Sequence, residues 1–443
     1  MFVTQPERRI AVIGLGYVGL SLALAAAEGN SGTIGFDADE QRIKELKRRT
    51  DRNNDVKVAD LRNSSITFTC NEKHLRTANV FIVCVPTPVN NISKVPDFGA
   101  LKSASQIIGG KMRKGSIVIF ESTVYPTATR EICEPELLKA AKRNHKDFSR
   151  EDFWLGYSPE RVSPGDAKLK LESTAKIVSG ESPRATRAVK AIYASFLKRK
   201  NLKSAKSIEV AEAAKLLENV YRDVNIALMN EFALICRRIG VDMTDVLKAA
   251  KSKPGFNRDR FKPGLVGGHC ISVDPYYLVA LARKTGRRAL LISAARQVNN
   301  SMSREIVLRV TSTLRKEKIK PPKAHIGILG ATFKEGVKDT RDSRVFDIVE
   351  GLSKKHIKVS IHDPIADEVR LKKAFRALSR VHVVPKVSQL KKCDVVVLAV
   401  THREYVKEPM RWLKYLRDGT TVIDVKSTLK QKDFPDRLVR APL

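Results

Sequence analysis

Short β-branched runs alternate with stretches of helical spacing along the first two hundred residues. Apolar runs at 10–14, 32–37, 80–85, 116–121, 153–158 and 176–179 predict strands, and periodic stretches between them, such as 39–50 and 97–111, predict helices. Alternation of this kind builds a mostly parallel sheet with helices on both faces. Around residue 204 the pattern changes. Residues 207–239 carry no Gly or Pro and place Val210, Ala214, Leu217, Val220, Tyr221, Val224 and Leu228 at helical spacing, with Gly240 as the stop. One long helix is predicted, a spine between domains or a dimer contact. Further helices are expected at 243–251, 275–285 and 290–316. A basic, proline-bearing link at 316–323 leads into a second α/β block with strands at 324–329, 359–362, 395–400 and 421–425. The predicted domains are 1–206, 207–316 and 317–443: two doubly wound parallel-sheet domains joined by a helical one.

A length of 443 residues agrees with several cores rather than one. At 42% apolar and 29% charged residues the chain is globular, which excludes wholesale disorder. Lys and Arg number 82 against 48 Asp and Glu, a net charge of +34. That excess admits nucleic acid, an anionic membrane or a negatively charged small substrate as partner. The basic residues are scattered, however, and aromatics are only 6%, so no stacking platform for single strands is evident and no nucleic-acid partner is expected. The six cysteines lack Cys-x-x-Cys spacing or His partners at ligand intervals, so no metal site is expected, and isolated thiols fit a reducing cytoplasm. The uncharged run 10–27 follows Arg8-Arg9, as a signal peptide or membrane helix would. Its order of strand, glycine turn and helix argues against both, and no later segment is long enough to insert in a membrane.

That glycine turn is the first candidate for chemistry. Gly14, Gly16 and Gly19, with Tyr17 and Val18 between them, form G-x-G-x-x-G between a strand and a helix. The first glycine permits the tight turn, the second lets backbone approach a pyrophosphate, and the third lets helix and strand pack closely. Asp37 ends the next strand, where a carboxylate accepts from the adenine ribose hydroxyls and repels a 2′-phosphate. The expected cofactor is therefore NAD, although Arg42 nearby is the kind of residue that serves a 2′-phosphate. Val85-Pro86-Thr87-Pro88 and Glu121-Ser122-Thr123-Val124 follow predicted strand ends, so Thr87 and Thr123 are expected at the cofactor or the reacting substrate.

Residues 267–275 read Gly-Gly-His-Cys-Ile-Ser-Val-Asp-Pro. Two glycines let backbone come close to a ligand, and Cys270 precedes a helix opened by Pro275, where amides favour a thiolate. Lys215 and Asn219 stand at i and i+4, on one face of the long helix. Beside a dinucleotide domain these parts suggest a reaction. An alcohol carbon yields hydride to NAD, a thiolate captures the aldehyde, a second oxidation gives a thioester, and water cleaves it.

These motifs in this order resemble the UDP-glucose/GDP-mannose dehydrogenase family over essentially the whole chain, at 14–20, 85–88, 121–126, 157–165, 212–231, 263–278 and 327–342. Within it the chain is most similar to the bacterial UDP-N-acetylhexosamine 6-dehydrogenases of surface-polysaccharide synthesis, on residues 157–162, 264–270 and 274–277. The resemblance implies a Rossmann-like fold for both α/β domains. It implies Cys270 as nucleophile, Lys215 and Asn219 as oxyanion stabilisers with Lys215 relaying a proton, Asp274 and Thr123 positioning water, and Glu160 at the thioester step. Arg161, Val162, Arg222 and Gly267 are implied at the sugar nucleotide, Lys334 and Arg341 at its phosphates or sugar, and the long helix in a homodimer. The implied substrate is UDP-N-acetylglucosamine, with the N-acetylmannosamine, N-acetylgalactosamine and glucose nucleotides as alternatives. The UDP-glucose branch carries a second carboxylate where this chain has Pro164, which leaves Asp274 or a water held by Glu160 as the hydrolytic base.

Overall fold

Ile10–Ile13 (β1) is buried throughout, as a strand covered on both faces must be. The computed structural model describes residues 8–52, 56–90, 92–161, 174–256 and 261–442; Val162 and Pro164 lie outside them. The chain folds as two compact units, Met1–Glu218 with Tyr276–Arg287, and Asn219–Pro275 with Arg288–Leu443. The helical stretch expected between the α/β blocks is thus shared between the units.

In the first unit β1 is joined by Ile34–Phe36 (β2), Thr67–Thr69 (β3), Val80–Val83 (β4), Ser116–Phe120 (β5), Phe153–Tyr157 (β6), Lys176–Gly180 (β7) and Leu202–Ser204 (β8). Their order is β3-β2-β1-β4-β5-β6-β7-β8, parallel except where β7 runs against β6. The chain reverses its direction of winding between β1 and β4, the place where open parallel sheets bind ligands. Leucines, isoleucines and aromatics fill a core on each face of this sheet.

The second unit repeats the plan with His325–Leu329 (β9), Lys358–His362 (β10), Val381–Val383 (β11), Val395–Leu398 (β12), Thr421–Asp424 (β13) and Val439–Pro442 (β14). All its pairs are parallel, in the order β11-β10-β9-β12-β13-β14. Sequence patterning misses the outer strands β3, β8, β11 and β14, whose polar, partly exposed positions break the apolar run that marks the inner strands.

The long helix is Ile208–Arg238. It ends as a Schellman motif, with Gly240 at φ +74°, its amide on Arg237 O and the Val241 amide on Cys236 O. Val210, Leu217, Tyr221, Leu228, Phe232 and Ile235 stay exposed along it. Among the described residues no helix is long and apolar enough to cross a membrane.

Candidate active site

In the first unit Gly14 takes φ +88° and its amide donates to Phe36 O at 2.8 Å. A Cβ on Gly14 would stand 2.9 Å from Cys84 O, and one on Gly19 would collide with Gly14 O. A Cβ on Gly16 meets nothing within 4 Å. The first and third glycines are therefore required by packing, while the second keeps open space in front of the helix Tyr17–Gly29. No side chain caps that helix at Gly16, so its N-terminal end, with the positive pole of the dipole, suits a pyrophosphate. Asp37 Oδ2 accepts from the Leu15 amide at 2.8 Å and Oδ1 from the Asp39 amide at 2.9 Å, which fixes the carboxylate at the end of β2. These residues fit a dinucleotide. Arg42 faces inward instead: Nε donates to Leu15 O at 3.0 Å and NH1 pairs with buried Asp51 at 2.7 Å. It braces the glycine turn from below.

The loops after β4 and β5 are stitched together. Thr87 Oγ1 donates to Thr123 O at 2.8 Å, Ser122 Oγ to Val85 O at 2.7 Å, and Tyr277 OH to Thr87 O. Behind them lies a buried polar cluster. Lys176 Nζ is 2.7 Å from Glu121 Oε2 and 3.8 Å from Glu160 Oε2, and Tyr193 OH donates to Glu121 Oε1. Burial works against the Lys176 charge, but Glu121 and Glu160 outweigh it and hold its pKa above the lysine range. Burial raises the Glu121 carboxyl, with Lys176 pulling the other way. Arg161 forks onto Glu218 (2.6 and 3.0 Å) and donates to Ala175 O at 2.7 Å. Glu212, on the long helix, accepts from the Thr127 and Thr129 amides at 2.7 and 3.0 Å. Lys215, one turn on, is buried, and among the described residues no hydrogen bond or ion pair engages its ammonium.

In the second unit Cys270 is exposed on a tightly held loop. The Val273 and Asp274 amides donate to its carbonyl at 3.0 and 2.8 Å, so they are spent on backbone and not on sulfur. Asp274 opens the helix Asp274–Lys284, and its carboxylate accepts from Asn219 Nδ2 at 2.5 Å. Asn230 brackets Gly264, accepting its amide at 2.7 Å and donating to its carbonyl at 3.0 Å. Asn230 also donates to Asn299, which with Arg296 binds buried Asp223. Gly267 and Gly268 press against Asp342 O and the Phe333 ring, where any Cβ would clash.

Lys334 lines a small cleft with Arg344, Lys426, Thr332 and Ser343. Three cations on one cleft suit a diphosphate. Arg341, expected beside Lys334, lies off that lining and forks onto Asp339 at 2.8–3.2 Å. Arg344 grips Val266 O at 3.3 Å, which ties the cleft to the cysteine loop. Arg222 is exposed on the long helix. Sequence reading missed Arg344, Lys426, Lys176 and Glu212. Each is an ordinary charged residue in the sequence, and only burial or convergence sets it apart.

Comparison with known proteins agrees with this architecture. The family model described as the UDP-glucose/GDP-mannose dehydrogenase family, NAD binding domain, matches residues 8–197; the family's central domain matches 209–301 and its UDP binding domain 327–431. Protein CapL of Staphylococcus aureus is 40% identical over 97% of this chain and 98% of its own length. UDP-N-acetyl-D-glucosamine 6-dehydrogenase of Pseudomonas aeruginosa is 41% identical over 90% of this chain and 92% of its own. The structure of UDP-D-ManNAc dehydrogenase from Pyrococcus horikoshii superimposes with a TM-score of 0.83 at 28% identity, covering 98% of each chain. The chain belongs to the UDP-glucose/GDP-mannose dehydrogenase family and is an NAD-dependent nucleotide-sugar dehydrogenase.

Proposed function

We propose that the protein oxidises C6 of UDP-N-acetylglucosamine to the uronic acid in two steps, through a thioester on Cys270, for a surface-polysaccharide precursor. The observation that carries this reading is the exposed Cys270 thiol on a loop clamped by Asn230, Gly267 and Gly268. The P. aeruginosa relative supports the N-acetylglucosamine nucleotide.

When bound, NAD accepts one hydride from C6 in each oxidation. Lys215 and Asn219 stabilise the oxyanion at C6, and Lys215 relays the hydroxyl proton to solvent. The Cys270 thiolate adds to the aldehyde carbon, and the resulting hemithioacetal is oxidised to the thioester. Asp274 and Thr123 then orient a water that attacks the thioester carbon. Its C–O bond forms, the C–S bond breaks, sulfur leaves as thiolate, and Glu160 takes the proton. Arg161, Val162, Arg222 and Gly267 bind the sugar. Lys334, Arg344 and Lys426 face the diphosphate charge, Arg341, off that cleft, serves the sugar side of the nucleotide, and a second copy covers the apolar row on the long helix. Asp37 bonds the adenine ribose while Gly14, Gly16, Tyr17, Val18, Gly19 and Thr87 line the cofactor, and Arg42 supports that turn.

The test is a panel of the gluco, galacto and manno N-acetylhexosamine nucleotides and UDP-glucose, followed by NADH absorbance. The N-acetylglucosamine nucleotide is expected to give the highest kcat/KM. Cys270→Ser is expected to form no acid. Acid formed by that variant at the normal rate contradicts the covalent step, and a preferred manno epimer moves the assignment to the activity named for the Pyrococcus structure.

A further inference from the structure

Lys176, the first residue of β7, is 4% exposed. Its ammonium contacts Glu121 at 2.7 Å, the Pro159 carbonyl at 3.5 Å and Glu160 at 3.8 Å. The second oxygen of Glu121 accepts from Tyr193 OH, and the Tyr193 ring lies 5.3 Å from the ammonium. Glu121, Lys176 and Tyr193 therefore form a closed set, one positive and one negative charge with both carboxylate oxygens bonded. Packing needs nothing more. Glu160 adds a second negative charge to a place already neutral, and of the two carboxylates it alone reaches the surface, at 16% against 0% for Glu121. It also follows β6, on the strand-end side where open parallel sheets meet their ligands. A lysine shared between a sealed carboxylate and an outward one can hold the outward one in place.

We propose that Lys176 is a positioning residue for Glu160 in the hydrolytic half of the reaction, with Glu121 and Tyr193 fixing the ammonium that does it. This rests on the reading of Glu160 as the group that takes the proton of the attacking water. Loss of Lys176 then leaves both hydride transfers intact and slows only cleavage of the Cys270 thioester.

The experiment is a rapid-quench time course of the full-length Lys176→Met variant with UDP-N-acetylglucosamine and NAD, with intact-protein mass spectrometry of the quenched samples. The expected result is a first-turnover burst of about two NADH per subunit. Steady turnover should fall about 100-fold, the usual weight of a general base, and an acyl adduct should appear on Cys270. Should Lys176→Met fail to fold, the double variant Glu121→Gln/Lys176→Met, which removes both buried charges together, is expected to stall in the same way. An equal loss of burst and steady rate, or normal turnover without adduct, overturns the inference. Glu160→Gln separates the two levels. If it stalls while the Lys176 variants turn over normally, only the role of Lys176 fails; if it turns over normally itself, the reading of Glu160 fails with it.

Discussion

A carboxylate buried on a helix and bonded to two backbone amides, as Glu212 is, must titrate unusually. Burial pushes its pKa up to about 7, while the Thr129 and Thr127 amides pull it back. The amides belong to a turn in which Thr127 holds φ +85°, a left-handed conformation that a β-branched residue resists. A folded-state pKa raised above the unfolded value near 4.3 means that protonation favours the fold. The contribution is full below about pH 4 and is lost as pH rises through about 7, on the order of 3 kcal/mol in all. Glu212→Gln lacks that titration, and its conflict with one amide costs the same at every pH. The variant is therefore expected to gain on wild type in Tm as pH rises from 5 to 8. A difference constant across that range contradicts the buried carboxyl. Glu212 opens the matched stretch 212–231, but nothing in the sequence gives it a role, because its burial and its partners come from a loop more than eighty residues away. The conformation of Gly14 and the open space at Gly16 were legible for the opposite reason: a strand–turn–helix is set by neighbours within a few residues.

At the scale of elements, the glycine turn separates packing from binding. Gly16→Ala adds a methyl to open space, so stability is expected to stay within about 1 kcal/mol, the helix-terminus range. NAD affinity is expected to fall at least about tenfold, because backbone can no longer approach the pyrophosphate closely. Gly19→Ala drives its methyl into Gly14 O and is expected to lower Tm before any effect on binding is read. Thermal melts with NAD titrations on both variants check this; a Gly16 variant that binds NAD normally contradicts the cofactor placement. The buried strands and the helices 208–238 and 290–316 were visible as unbroken apolar runs or long periodic stretches. The edge strands were not, and neither was the inward turn of Arg42. An arginine three residues into a helix reads as surface until Asp51 appears beneath it.

For the whole molecule, the long helix presents Val210, Leu217, Tyr221, Leu228, Phe232 and Ile235 at spacings of seven, four, seven, four and three. An apolar row of that period suits a second helix of the same kind. Sedimentation is expected to find a dimer for the wild type and a monomer for Leu228→Glu/Phe232→Glu with unchanged helix content. A monomeric wild type contradicts the pairing. Two dinucleotide-type sheets were legible from strand alternation, but the way the central helices divide between two compact units was not, since periodicity carries no record of which core a helix face joins. The claim on which the function depends is a four-electron oxidation, and the direct measurement is the number of NADH formed per UDP-N-acetylglucosamine consumed, with the sugar product identified by mass. About two NADH per sugar and the uronic acid are predicted; one NADH per sugar with an accumulated aldehyde, or no turnover of any UDP-sugar, contradicts the account.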